Sequence, residues 1–271
     1  MKLCVTTIIL LLTMPTLVQA QPFPAAPKGF DTRRDGVKKG KVEAVEYESK
    51  TVGGKRKMTV YLPPMYAKDV KLPVLYLLHG AGDDEGTWTS AKKGRGADVL
   101  DNLYDEQKIL PMVVVMPNSY ASPAGAKKST SLFEDELLKD VIPYVESHYA
   151  VKTDRDNRAL GGLSMGGGQT LRIGLKHLDK FAWLCAFSSA LGAAGGQPTI
   201  PSADEANKKL RLFWLSCGDK DTLMKSNQAF HDSLTEKKVT HIWHIDAGPH
   251  EWAVWRNDLY LVGPMLFRER K

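Results

Sequence analysis

The chain has 271 residues, 43% hydrophobic and 25% charged, with a formal net charge of +6. It is too apolar for a disordered chain, and its cations are scattered rather than gathered on a helix with interleaved aromatics, which argues against a nucleic-acid binder. Three cysteines are too few for a disulfide-stapled scaffold.

The chain opens with one charge at Lys2, an apolar run over 8–12 and a small-residue end at Val18-Gln19-Ala20. This predicts an export signal, residues 1–20, cleaved after Ala20 and too short to span a bilayer. It implies a secreted or periplasmic protein with no membrane anchor once the signal is removed. Cys4 leaves with it. Residues 21–40, rich in Pro, Gly, Lys and Arg, read as an exposed lead-in, and 41–271 as a single domain.

Alternation over 41–49 and 57–62 about Gly53-Gly54 predicts an antiparallel hairpin that Pro63-Pro64 ends. Short apolar runs follow at 73–78, 112–116, 159–163, 181–187, 212–216 and 241–245. Helical patterns fall at 97–107, 132–149, 165–177, 223–237 and 252–268. Continuous apolar strands alternating with helices predict an α/β fold: a mostly parallel central sheet, helices on both faces, and the hairpin as an antiparallel edge. Cys185 and Cys217 fall in strand-like runs and read as buried small apolar side chains rather than a pair.

The most informative stretch is Gly161-Gly162-Leu163-Ser164-Met165-Gly166, between a strand and a helix. A serine with glycine two residues away on each side suits a turn so sharp that its hydroxyl faces outward, the nucleophile elbow of the α/β-hydrolase fold. A serine hydroxyl needs a base, and in this fold the order is Ser, then Asp or Glu, then His. Of the histidines after Ser164, His177 and His231 lie on helices and His241 and His244 in a strand. His250 alone sits in a loop past the last strand. The acid belongs after the 212–216 strand, where Asp219 and Asp221 both stand; Asp246 is an outlier that leads directly into the histidine loop. For the oxyanion, one N–H comes from Met165 and one from Ala81, in the loop His79-Gly80-Ala81-Gly82. His79 reads as a brace for that loop. No cofactor is called for, and no metal: His241 and His244 show no acidic partners arranged as a cage. Trp88, Tyr120 and Trp252, near strand ends, could stack on a substrate ring or fill core.

These residues together resemble the bacterial feruloyl esterases of the first carbohydrate esterase family, with enterochelin-type esterases and mycolyltransferases as remoter kin. The resemblance runs from about Lys41 onward. It is densest at Tyr76-Leu77-Leu78-His79-Gly80, Thr153-Asp154-Arg155, Gly162 to Gln169, Leu178 to Phe181, Cys217-Gly218 to Asp221, and His250 to Trp255. It implies an α/β-hydrolase fold, Ser164 as nucleophile, His250 as base, Asp221 rather than Asp219 as the acid, and Ala81 and Met165 as oxyanion donors. It further implies an ester substrate, small or polysaccharide, such as feruloylated or acetylated xylan fragments. The loop 120–130 departs from the xylanase-linked esterases. Rival readings on the same triad are an acetylxylan esterase, a siderophore esterase with a cationic pocket, and an acyltransferase.

Overall fold

The computed structural model describes residues 23–123, 125–192 and 196–268. The expected signal segment lies outside the described residues. Strands β1 (Lys41–Ser49) and β2 (Gly54–Leu62) form the hairpin. They are followed by β3 (Val74–Leu78), α1 (Gly96–Asp105) and β4 (Val113–Pro117). Next come α2 (Phe133–Glu136), α3 (Ile142–His148), β5 (Arg158–Leu163), α4 (Met165–Lys176) and β6 (Trp183–Phe187). The chain continues through α5 (Ala203–Lys209), β7 (Leu212–Gly218), α6 (Met224–Glu236), β8 (Ile242–Asp246) and α7 (Trp252–Val262).

The eight strands make one sheet in the order β1-β2-β4-β3-β5-β6-β7-β8. From β4 to β8 every pairing is parallel, while β1–β2 and β2–β4 are antiparallel. Strand β3 shows why both faces must be covered. Val74, Tyr76 and Leu78 point into one core with α2, α3, α4 and α6; Leu75 and Leu77 point into another with α1 and α7. The order reverses at β3 and β5, which pair directly from Val74↔Arg158 to Leu78↔Gly162. That switch point leaves a crevice beyond the strands' carboxyl ends, and the loops after β3 and β5 both open into it.

Local differences from the sequence reading have physical causes. The helix expected over 132–149 contains a π segment at Leu137–Val141, just ahead of Pro143, whose missing N–H cannot serve the carbonyl one turn back. The helix expected to reach 268 ends at Val262 in a tight 3₁₀ turn, because Gly263-Pro264 cannot continue it. Helix α5 was not expected: only Ala206 on it is buried, so it lacks an apolar stripe, yet Ser202 accepts a hydrogen bond from the Glu205 N–H as a cap. The lead-in is not simply exposed. Phe23, Ala26 and Phe30 pack against the α1–α7 core, and the Ala26 N–H donates to Asn257 Oδ1. Cys185 and Cys217 are both buried and free; burial pushes both thiols up, Cys217 to about 12.

Candidate active site

Ser164 lies between β5 and α4 with φ 51° and ψ −113°, a left-handed conformation that a side chain pays for in strain and adopts only where its surroundings over-determine it. Its N–H donates to the Phe187 carbonyl, and its own carbonyl accepts from Gly168 and Ala190. The glycines on either side are required by close approach. A Cβ on Gly162 would stand 2.8 Å from Leu78 Cβ, and one on Gly166 would stand 2.6 Å from the His79 carbonyl oxygen.

The fold brings the three side chains proposed from the sequence into one hydrogen-bonded line. Ser164 Oγ lies 2.9 Å from His250 Nε2, and His250 Nδ1 lies 2.8 Å from Asp221 Oδ2. With the proton on Nδ1, the ring donates to the carboxylate and offers Nε2 to the serine hydroxyl. The Asp221 side chain is fully buried, and its other oxygen accepts from the Leu223 N–H at 2.8 Å. The His250 ring packs edge-on against Trp255, with centroids 4.8 Å apart, and remains partly exposed.

Asp219, which residue spacing alone could not separate from Asp221, does something else. Its Oδ1 accepts the Gly248 N–H at 2.8 Å, and its own N–H donates to the Asp246 carbonyl, so it laces the acid loop to the loop that carries His250. Asp246 does not reach the triad; it accepts from Asn257 Nδ2 and the Ala247 N–H.

Ala81 and Ser164 line one small cleft of about 330 Å³, together with His250 and Trp252. Among the described residues neither the Ala81 nor the Met165 N–H has a hydrogen-bond partner. Met165 opens α4, so its amide is one of the unpaired donors of a helix N-terminus, where negative charge is favoured. The loop after β3 is held from behind. His79 is buried, its Nδ1 pairs with the Gly80 carbonyl at 2.8 Å, and its Nε2 accepts the Ser119 N–H at 3.0 Å. Burial holds its pKa below the usual histidine value.

Tyr120 is a residue that the sequence reading left undecided. Its hydroxyl accepts the Gly82 N–H at 2.9 Å, which ties the β4 end to the loop bearing Ala81. Arg56 on β2 holds that wall in turn, donating to the Asn118 and Tyr120 carbonyls and pairing with the buried Glu136 at 2.7 Å. The usable signal was position, since Asn118-Ser119-Tyr120 follows a parallel strand at the sheet's carboxyl side. Of the other aromatics, Trp88 is core, fully buried and donating to the Leu78 carbonyl, whereas Trp252 lines the small cleft. A second cleft of about 710 Å³ begins at Met165, the residue after Ser164, and at Tyr120, and Lys128, Glu134, Arg172 and Lys176 line it. One expectation is corrected: His244 does have acidic neighbours, because the fold brings Asp246 and Asp258 to it.

A family model described as "Putative esterase" matches residues 49–262. The endo-1,4-beta-xylanase/feruloyl esterase of Xylanibacter ruminicola is 29% identical over 254 residues, which cover 90% of this chain and 34% of that protein. The chain thus spans about a third of that relative's length. The acetyl esterase of Caldicellulosiruptor saccharolyticus is 24% identical over 227 residues, covering 70% of this chain and 82% of that one. Among solved structures, a ferulic acid esterase of the anaerobic fungus Anaeromyces mucronatus in complex with ferulic acid superposes with a TM-score of 0.81 at 26% identity. The match covers 92% of this chain and 98% of that chain.

Proposed function

The chain belongs to the esterase family, and on that footing we propose that it is an exported serine carboxylester hydrolase that releases hydroxycinnamate, ferulate above all, from plant cell-wall xylan. The observation that carries the chemistry is the line Ser164 Oγ–His250 Nε2 and His250 Nδ1–Asp221 at 2.9 and 2.8 Å. In this mechanism His250 takes the proton as Ser164 attacks the ester carbonyl, and Asp221 fixes the imidazole tautomer and stabilises its cation. The tetrahedral oxygen settles between the Ala81 and Met165 N–H groups. The sugar alcohol leaves with the proton from His250, and water, activated by the same base, frees the acid. The choice of ferulate is supported by the xylanase-linked relative and by the fungal enzyme seen with ferulic acid. The reading of export rests on the signal pattern in residues 1–20.

A specific observation favours a second reading. Lys128, Arg172 and Lys176 line the larger cleft against one acid, Glu134, and an excess of cations is what hydrolysis of catecholate-bearing siderophore esters would need. Rates on methyl ferulate, acetylated xylan and a tri-catecholate lactone under one set of conditions separate the readings. The ferulate proposal expects kcat/KM to be highest on methyl ferulate; a higher value on the lactone would replace it, and a higher value on acetylated xylan would return it to the acetyl esterases.

A further inference from the structure

We propose that His244, Asp246 and Asp258 form a divalent-cation site that ties β8 to α7, the two elements joined by the loop bearing His250. It is separate from the triad and independent of the substrate reading. One ligand atom from each of the three residues lies within 4.8 Å of the others, close enough to share an ion.

The second observation is a knot of orphaned polar atoms at the same place. Asp258 is fully buried, and neither of its oxygens has a hydrogen-bond partner. His244 is 8% exposed and its Nε2 is unpartnered, as are Ser216 Oγ and Trp214 Nε1, both on wholly buried residues. Ser216 and Trp214 face the Asp258 carboxylate and offset a small part of the cost of its burial, but no hydrogen bond of good geometry joins them to it. An unpaired buried carboxylate is among the costliest groups a core can hold, and here a second carboxylate, Asp246, stands beside it. A cation would neutralise both.

The donor set suits such an ion. One imidazole nitrogen with two carboxylate oxygens fits a first-row divalent ion of the zinc type better than calcium, which takes six or more oxygens. The surroundings would orient the ligands. Asn257 Nδ2 donates to Asp246 Oδ2 at 2.5 Å, and Asn257 in turn accepts the Ala26 N–H. The rings of Trp214 and Phe23 lie 5.3 and 5.7 Å from the His244 ring, closing the site on the lead-in side. Asp246 is only half-buried and leaves a route in from solvent.

The test is zinc binding by the full mature chain, stripped with a chelator and titrated by calorimetry with Zn²⁺ alone, alongside thermal denaturation with and without the metal. Wild type should take up one equivalent and melt at a higher temperature with zinc. Asp258→Asn and His244→Gln should each weaken that equivalent at least about a hundredfold, more than loss of an outer support costs. Without metal, Asp258→Asn should melt no lower than wild type, because it removes a buried charge, and this shows that it folds. The adjacent pair His231 and His241, whose ring nitrogens lie 2.7 Å apart, is the competing zinc trap; His241→Gln must leave the equivalent in place. No stoichiometric zinc in wild type, or an equivalent lost with His241→Gln but retained by both Asp258→Asn and His244→Gln, would overturn the proposal. Asp258 would then be a buried neutral acid.

Discussion

Two aspartates two residues apart do different work because their carboxylates face different partners. Asp221 meets the imidazole of His250, while Asp219 meets a backbone N–H. Asp221→Asn should therefore lower kcat about ten-thousandfold with the fold intact, since the amide stabilises the wrong tautomer and no cation. Asp219→Ala should retain most of kcat, and steady-state kinetics on a nitrophenyl ester would show which of the two losses is larger. His79 offers a test by pH. Both of its ring nitrogens are satisfied only in the neutral form, because Nε2 must accept from the Ser119 N–H. Its folded pKa is depressed, so below about pH 6.5 the unfolded chain binds a proton that the folded one refuses. The stability His79 lends is complete above that pH and is lost as the pH falls toward its folded value. Urea midpoints between pH 7.5 and 5 should fall less steeply for His79→Gln than for wild type; His231 and His241, also depressed by burial, stay in both proteins. Equal slopes would remove His79 from the account.

The turn from β5 into α4 works because backbone passes against backbone. A Cβ on Gly166 would meet the His79 and Leu78 carbonyl oxygens at 2.6 and 2.7 Å, and neither can yield without moving β3. Gly166→Ala should cost at least about 1–3 kcal/mol in urea unfolding, the usual range for overpacking, and should lower activity as well, because the displaced strand end carries the loop with Ala81. An unchanged midpoint would contradict this. Elements like this one were legible in the sequence because glycine spacing and apolar runs report directly on packing. The segment Leu137–Val141 was not, since a π turn depends on how one proline's missing N–H is absorbed. Nor was α5, whose cap at Ser202 was present without the apolar periodicity that marks a buried helix. The roles of Tyr120 and Arg56 were not legible for a related reason: they are contacts between segments far apart in the chain.

For the molecule as a whole, topology does what no single segment could. The strand order reverses between β3 and β5, so the loop bearing Ala81 and the turn bearing Ser164 leave neighbouring strands at one edge of the crevice. The loops after β7 and β8 then bring Asp221 and His250 in from the far side. Chain order Ser164, Asp221, His250 was readable because parallel strands send every such loop to the same end of the sheet. The docking of Phe23, Ala26 and Phe30 was not, because a Pro-rich segment carries no pattern that says what it covers. The central claim is that this convergence makes Ser164 a nucleophile, and covalent labelling tests it most directly. Treated with a fluorophosphonate and mapped by peptide mass spectrometry, the wild-type protein should carry one adduct, on Ser164, with esterase activity lost in step, and Ser164→Ala should carry none. An adduct on another residue, or stoichiometric labelling of Ser164 with activity retained, would contradict the account.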